Sequence, residues 1–135
     1  MKNIVKSLGV VFLIGSIATA APAIKDNMDA INTLVNSITA SVTVTSKNSA
    51  NSASAKQIAD QFKIVLTLVP TSISSMPDGA SKDAALADFK NLIQTEIDNA
   101  TALETAFDKN DNTTASGILQ QMASIKSVGH SKYKK

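Results

Sequence analysis

The chain of 135 residues has no cysteine, no tryptophan and no arginine, and only one histidine, one tyrosine and three prolines. Without cysteine there is no disulfide, no lipidated cysteine anchor and no thiolate metal site. Without arginine there is no planar guanidinium to grip phosphate, and thirteen lysines nearly balance eleven acids. Nucleic acid is therefore excluded as a partner, because its binding runs on clustered positive charge. A lone histidine leaves few general bases or nucleophiles, and neither a Gly-x-Ser-x-Gly elbow nor a glycine-rich phosphate loop occurs. Glu96 and Glu104 are the only glutamates. Neither has a histidine three residues on, as the di-iron chemistry of helical bundles requires. Their spacing of eight puts them on one face of a helix, which reads as a solvated face. The chain is not expected to be an enzyme.

What is present begins with a leader. Lys2 and Lys6 precede an apolar run from Leu8 to Ile17, followed by small residues at Ala18, Ala20, Ala21 and Ala23. That is the pattern of a secretory signal peptide, and the run is too short for a membrane span, which takes about 20 apolar residues. Two Ala-x-Ala sites compete, with cleavage after Ala20 or after Ala23. The first gives a signal over 1–20 and an exported domain over 21–135, with no stable membrane anchor once the signal is gone. Loss of Lys2 and Lys6 leaves eleven lysines against eleven acids. A chain of this size buries one core as a single domain.

The apolar residues of that domain recur at helical spacing. Ile24, Met28, Ile31, Val35, Ile38 and Val42 alternate by four and three, which winds one stripe along a first helix. The Ser- and Asn-rich stretch from Ser46 to Ser54 reads as a turn. Ala55, Ile58, Phe62, Val65 and Val69 form a second stripe that stops near Pro70. Met76-Pro77-Asp78-Gly79 is a turn signal, and Ser81 with Asp83 makes an N-cap for a third helix carrying Leu86, Phe89, Ile93, Ile97, Ala100, Leu103 and Phe107. After a turn at Lys109 to Asn112, a fourth helix carries Ala115, Ile118, Met122 and Ile125 and runs out through Gly129. Four helices with short connections predict an all-α, antiparallel up-down-up-down four-helix bundle.

In that topology the start of the first helix and the end of the fourth are neighbours. Met28, on the seam, and His130, one position past Gly129, then lie at the same height. A thioether facing an imidazole is an axial pair that holds a low-spin haem iron. Val69, Pro70 and Phe89 fall at the same end as apolar walls.

These residues resemble the soluble periplasmic cytochrome b562 family. Asp26-Asn27-Met28 followed by Ile31 and Leu34 is similar to the family's opening, and His130-Ser131-Lys132-Tyr133-Lys134 to its closing segment. Ile97-Asp98-Asn99-Ala100 resembles its third helix, and Asn51 to Pro70 falls where its second lies. The resemblance implies one haem b, held without a covalent bond, in a periplasmic electron carrier served by an unidentified redox partner protein. The missing cysteines agree, since they exclude covalent haem attachment. The resemblance assigns the iron to Met28 and His130 and places Ile24, Ile31 and Phe89 against the ring. Lys126 and Lys134 stand where the family often has arginines, so they neutralise a propionate only as mobile point charges. The competing expectation is a haem-free periplasmic bundle that binds or protects a partner.

Overall fold

The computed structural model describes residues 20–134, so the leader reading for residues 1–19 lies outside the described residues. The chain forms α1 (Ala20–Ser41), α2 (Asn48–Leu66), the single turn α3 (Thr71–Ser74), α4 (Ala80–Asp108) and α5 (Asn112–Tyr133), with a 3-10 turn over Thr45–Lys47. It is an all-α helical bundle, and no strand occurs among the described residues. No helix among them is long and apolar enough to cross a membrane.

The sequence stripes become the core. Ile31 and Ile38 of α1, Ile58, Phe62 and Val65 of α2, Phe89 through Phe107 of α4, and Ala115 and Met122 of α5 are buried together, with Ile73 of α3 closing one end. Helix α2 packs most extensively on α4, while α1 lies on α2 and α5 on α4. Helices α1 and α5 hardly touch. Their stripe residues Ile24, Met28, Val35 and Ile125 are accordingly only half-buried, because they face the gap that this arrangement leaves.

Helix boundaries depart from the sequence reading in several places: α2 ends at Leu66, short of Val69 and Pro70, and α3 forms within the expected connection after Pro70. The stretch from Asn48 to Ser54 is helical, not a turn. Asn48 and Asn51 are buried, and their amides bond across the bundle end: Asn48 Nδ2 donates to Asn110 Oδ1 at 3.0 Å and to Asn112 Oδ1 at 2.9 Å, and Ser41 Oγ donates to Asn51 Oδ1 at 2.9 Å. Tertiary hydrogen bonds thus override the poor helix propensity of asparagine. At α4, Gly79 is the N-cap, with φ of +145°, and the helix starts ahead of the expected Ser81 and Asp83. A side chain at Gly79 rarely tolerates that backbone, so glycine turns the chain here without a side-chain cap.

The third connection is compact, running from the end of α4 at Asp108 to the start of α5 at Asn112. Asn110, at φ of 56°, ends α4 in the left-handed region, and Asp111 N and Asn110 N bond back to Ala106 O at 2.8 Å and Phe107 O at 2.9 Å. That is a Schellman closure with asparagine in the usual glycine position. Asp111 then caps α5 by accepting from Thr114 N at 3.0 Å. At this end the finish of α1, the start of α2, the finish of α4 and the start of α5 meet. Asn112 Nδ2 donates to Val42 O, and Ser52 Oγ to Asp108 Oδ1 at 2.6 Å.

Candidate functional site

The gap between α1 and α5 is a cleft of about 1010 Å³. This lies at the upper end of the range for small-molecule and cofactor pockets, which are mostly apolar with a few convergent polar groups. It runs along α1 from Ile24 to Val42 and along α5 from Ser116 to Lys134, with Phe62 and Val65 of α2 and Phe89, Ile93 and Glu96 of α4 also on its walls.

All seven residues singled out from the sequence line this one cleft: Ile24, Met28 and Ile31 on α1, Phe89 on α4, and Lys126, His130 and Lys134 on or just past α5. Ile31 and Phe89 are buried, Ile24, Met28 and His130 half-buried, and the two lysines exposed. Pro70 is also on the wall, whereas Val69, expected beside it, packs against the core and does not reach the cleft.

Met28 is two turns into α1, on the same stripe as Ile24 and Ile31. His130 sits in the last turn of α5, which is fastened to the rest of the bundle. The Tyr133 hydroxyl donates to the Asp88 carboxylate and to Ala85 O at 3.3 Å, Lys132 Nζ pairs with Asp88 at 3.0 Å, and Ser72 Oγ donates to Tyr133 O at 3.1 Å. Burial, then Lys134 and Lys126, hold the His130 pKa below the ordinary 6.5. The imidazole is neutral at pH 7 and has a nitrogen lone pair to give, the form in which histidine binds metals. Gly129 precedes it with open space: a Cβ built there meets nothing within 4 Å.

One residue of the cleft lies where the sequence expectation does not put it. Glu96, expected on a solvated face, is only 4% exposed, and its Oε2 has no hydrogen-bond partner among the described residues. Burial pushes its pKa up to about 8, with Asn99 acting in the opposite direction. The signal was in the spacing, since Glu96 follows Ile93 by three and precedes Ala100 by four, on the buried stripe itself. Glu104 is half-buried and does not reach the cleft.

No cluster of three or more His, Cys, Asp or Glu side chains able to cage a bare metal ion occurs among the described residues. A porphyrin supplies its iron's equatorial ligands itself, so it asks only an axial pair of the protein. No family model, curated protein or solved structure matches the chain.

Proposed function

We propose that this chain is a periplasmic electron carrier that binds one haem b without a covalent bond in the cleft between α1 and α5, with Met28 and His130 as the axial ligands. The observation that carries the reading is the convergence of residues more than a hundred positions apart, Met28 and His130, on one apolar cleft. It carries with it an antiparallel up-down-up-down arrangement of α1, α2, α4 and α5, and an exported chain whose leader ends near Ala20. The donor set fits the group: a soft thioether and a neutral imidazole on helices that flank the same space.

When bound, haem supplies a one-electron iron couple, and methionine as one ligand raises its potential relative to two histidines. The protein's own residues do the rest. Ile24, Ile31 and Phe89 exclude water from the ring's faces. Lys126 and Lys134, exposed at the rim, neutralise propionates as mobile ammonium charges. The fastening of Tyr133 to Asp88 keeps the His130 turn from fraying. Were Met28 and His130 both to hold the iron, no position would be left open for a substrate, and the role that would remain is electron transfer to and from a redox partner protein.

The test is an absorbance spectrum of the purified protein titrated with hemin, oxidised and reduced. The expected result is a Soret band saturating at one haem per chain, sharp low-spin bands on reduction, and loss of both in Met28→Ala and His130→Ala. A protein that stays spectrally silent with hemin overturns the reading and leaves a haem-free bundle that binds or protects a partner.

A further inference from the structure

The cleft holds a group that ligation of an iron does not use. Glu96 lies on its α4 wall between Ile93 and Ile97, almost wholly out of water, with one carboxyl oxygen unpartnered among the described residues. A buried carboxylate without a cation is costly, and a carboxylic acid in the same place is far less so. No cation near it offsets a negative charge, and the Asn99 amide is the one group that favours the ionised form. From α1 the cleft receives Lys25, Asp26 and Asp29, and from α5 Lys126, His130, Tyr133 and Lys134, while α2 contributes only apolar side chains. Lys25 is committed to Asp29, and Lys126 and Lys134 stand in water, where screening weakens their reach. Tyr133 is bound to Asp88. Glu96 is therefore the cleft's one deeply buried acid.

Resting on the haem reading above, we propose that the protein carries a proton together with its electron, and that Glu96 is the proton acceptor. An electron from a one-electron donor protein adds one negative charge inside a cleft of low polarity. Where Glu96 is ionised in the oxidised protein, its carboxylate answers by taking one proton from solvent and forming a carboxylic O–H, so that the interior's net charge is unchanged; where it already holds its proton, the electron enters alone. On oxidation the electron leaves to an acceptor and the proton returns to water. No other bond forms or breaks. A buried acid feels a nearby change of charge more strongly than an exposed one because the medium between them screens less.

The experiment is a spectroelectrochemical titration of the hemin-loaded full chain from pH 6 to pH 10, with dithionite as reductant, beside Glu96→Gln. A full proton per electron changes the reduction equilibrium tenfold per pH unit, about 59 mV for one electron. The expected result is a potential that is level near pH 6, where Glu96 holds its proton in both redox states, and falls with rising pH once the oxidised protein ionises it, with a slope approaching that limit, and a Glu96→Gln variant whose slope is largely gone. Redox-difference infrared spectra should show a protonated-carboxyl band on reduction in the wild type that Glu96→Gln lacks. A flat potential in the wild type, or a slope that Glu96→Gln retains, overturns the inference, since the slope then belongs to the haem's own propionates. Both outcomes are read on a protein with a Soret band. Absence of that band overturns the haem reading itself, and this inference with it.

Discussion

Phe89 and Tyr133 meet edge to face, their ring centroids 5.5 Å apart and their planes at 82°. The pair joins the first half of α4 to the last turn of α5, and the Tyr133 hydroxyl adds its bonds to Asp88 and Ala85 O. Tyr133→Phe keeps the ring contact and deletes the hydroxyl. We expect it to lower the stability of the apoprotein by about 1 kcal/mol, the usual net worth of such a bond, in urea unfolding at pH 7. The Tyr133 pKa is pushed up to about 12, by burial first and then by Asp88. Asp88 is held below the ordinary carboxylate range by Tyr133 first and then by Lys132. A raised acid loses its contribution as pH climbs through its folded value, and a depressed one as pH falls through its own. The wild-type advantage over Tyr133→Phe should thus be level from pH 5 to 9 and shrink beyond either side.

Much of this was legible in the sequence. The four apolar stripes became the four long helices, because a period of three and four needs only one buried face to be satisfied. The ends of the chain named the cleft residues for the same reason, since Met28 and His130 lie on or beside such stripes. Asn48 and Asn51 were not legible as helix, because what holds them there comes from Asn110 and Asn112, far off in the chain, and from Ser41 on the preceding helix. Glu96 departs from the solvated face that its charge implies, because its phase on the helix outweighs its charge. Its spacing from Ile93 and Ala100 put it inside, and the carboxyl accommodates by keeping its proton.

The depressed pKa of His130 makes a prediction for uptake of hemin. An imidazole that resists protonation stays available as a ligand in mild acid, and Lys134 and Lys126 contribute to that resistance after burial. Lys126→Ala and Lys134→Ala should each move the acid limb of hemin binding toward higher pH, while weakening affinity at pH 7 only modestly. The same group bears on stability. With a folded pKa below the unfolded value of 6.5, His130 costs the apoprotein stability as pH falls below about 6.5. Soret titrations and urea midpoints from pH 4.5 to 7.5 check both, and an acid limb unmoved in the two variants would show that the lysines do not act on the imidazole.

At the far end of the bundle, Asn48 and Asn112 exchange amide hydrogen bonds, each Nδ2 donating to the other's Oδ1 at 2.9 Å. Asn48→Ala removes both bonds and that to Asn110, taking the donor from Asn110 Oδ1 and Asn112 Oδ1 at a part-buried site, while Asn112 Nδ2 keeps its bond to Val42 O. The cost should be about 1–3 kcal/mol in the unfolding free energy. None of these residues lines the cleft. Hemin affinity measured where both proteins are fully folded should be unchanged, which separates damage to the scaffold from damage to the site.

Glu96 also predicts how apoprotein stability depends on alkali, without reference to any cofactor. Its folded pKa of about 8 stands well above that of an unfolded glutamate, about 4.3. Between those values the unfolded chain gives up the proton and the folded one keeps it, so stability is full below about pH 4 and drains away as pH rises to about 8. Glu96→Gln removes the linkage. Relative to wild type, the variant should gain on the order of a few kcal/mol between pH 4.5 and pH 8. Urea unfolding at both pH values checks this, and parallel curves for the two proteins would mean the carboxyl is not buried as described.

Two glycines of α5 provide a matched pair for testing what the cleft is for. A Cβ at Gly117 or at Gly129 meets nothing within 4 Å, so neither glycine is required for packing, and each weakens the helix relative to alanine by about 0.5–1 kcal/mol. Gly117 is exposed and away from the cleft, whereas Gly129 lines it beside His130. Gly117→Ala and Gly129→Ala should therefore stabilise the apoprotein alike. With hemin the two should part. Gly117→Ala should leave affinity untouched, and Gly129→Ala should weaken it several-fold, because the added methyl takes space that a ring bound at His130 needs. Thermal unfolding with and without hemin measures all four quantities. Equal affinity in the two variants would mean that nothing bound in the cleft approaches Gly129.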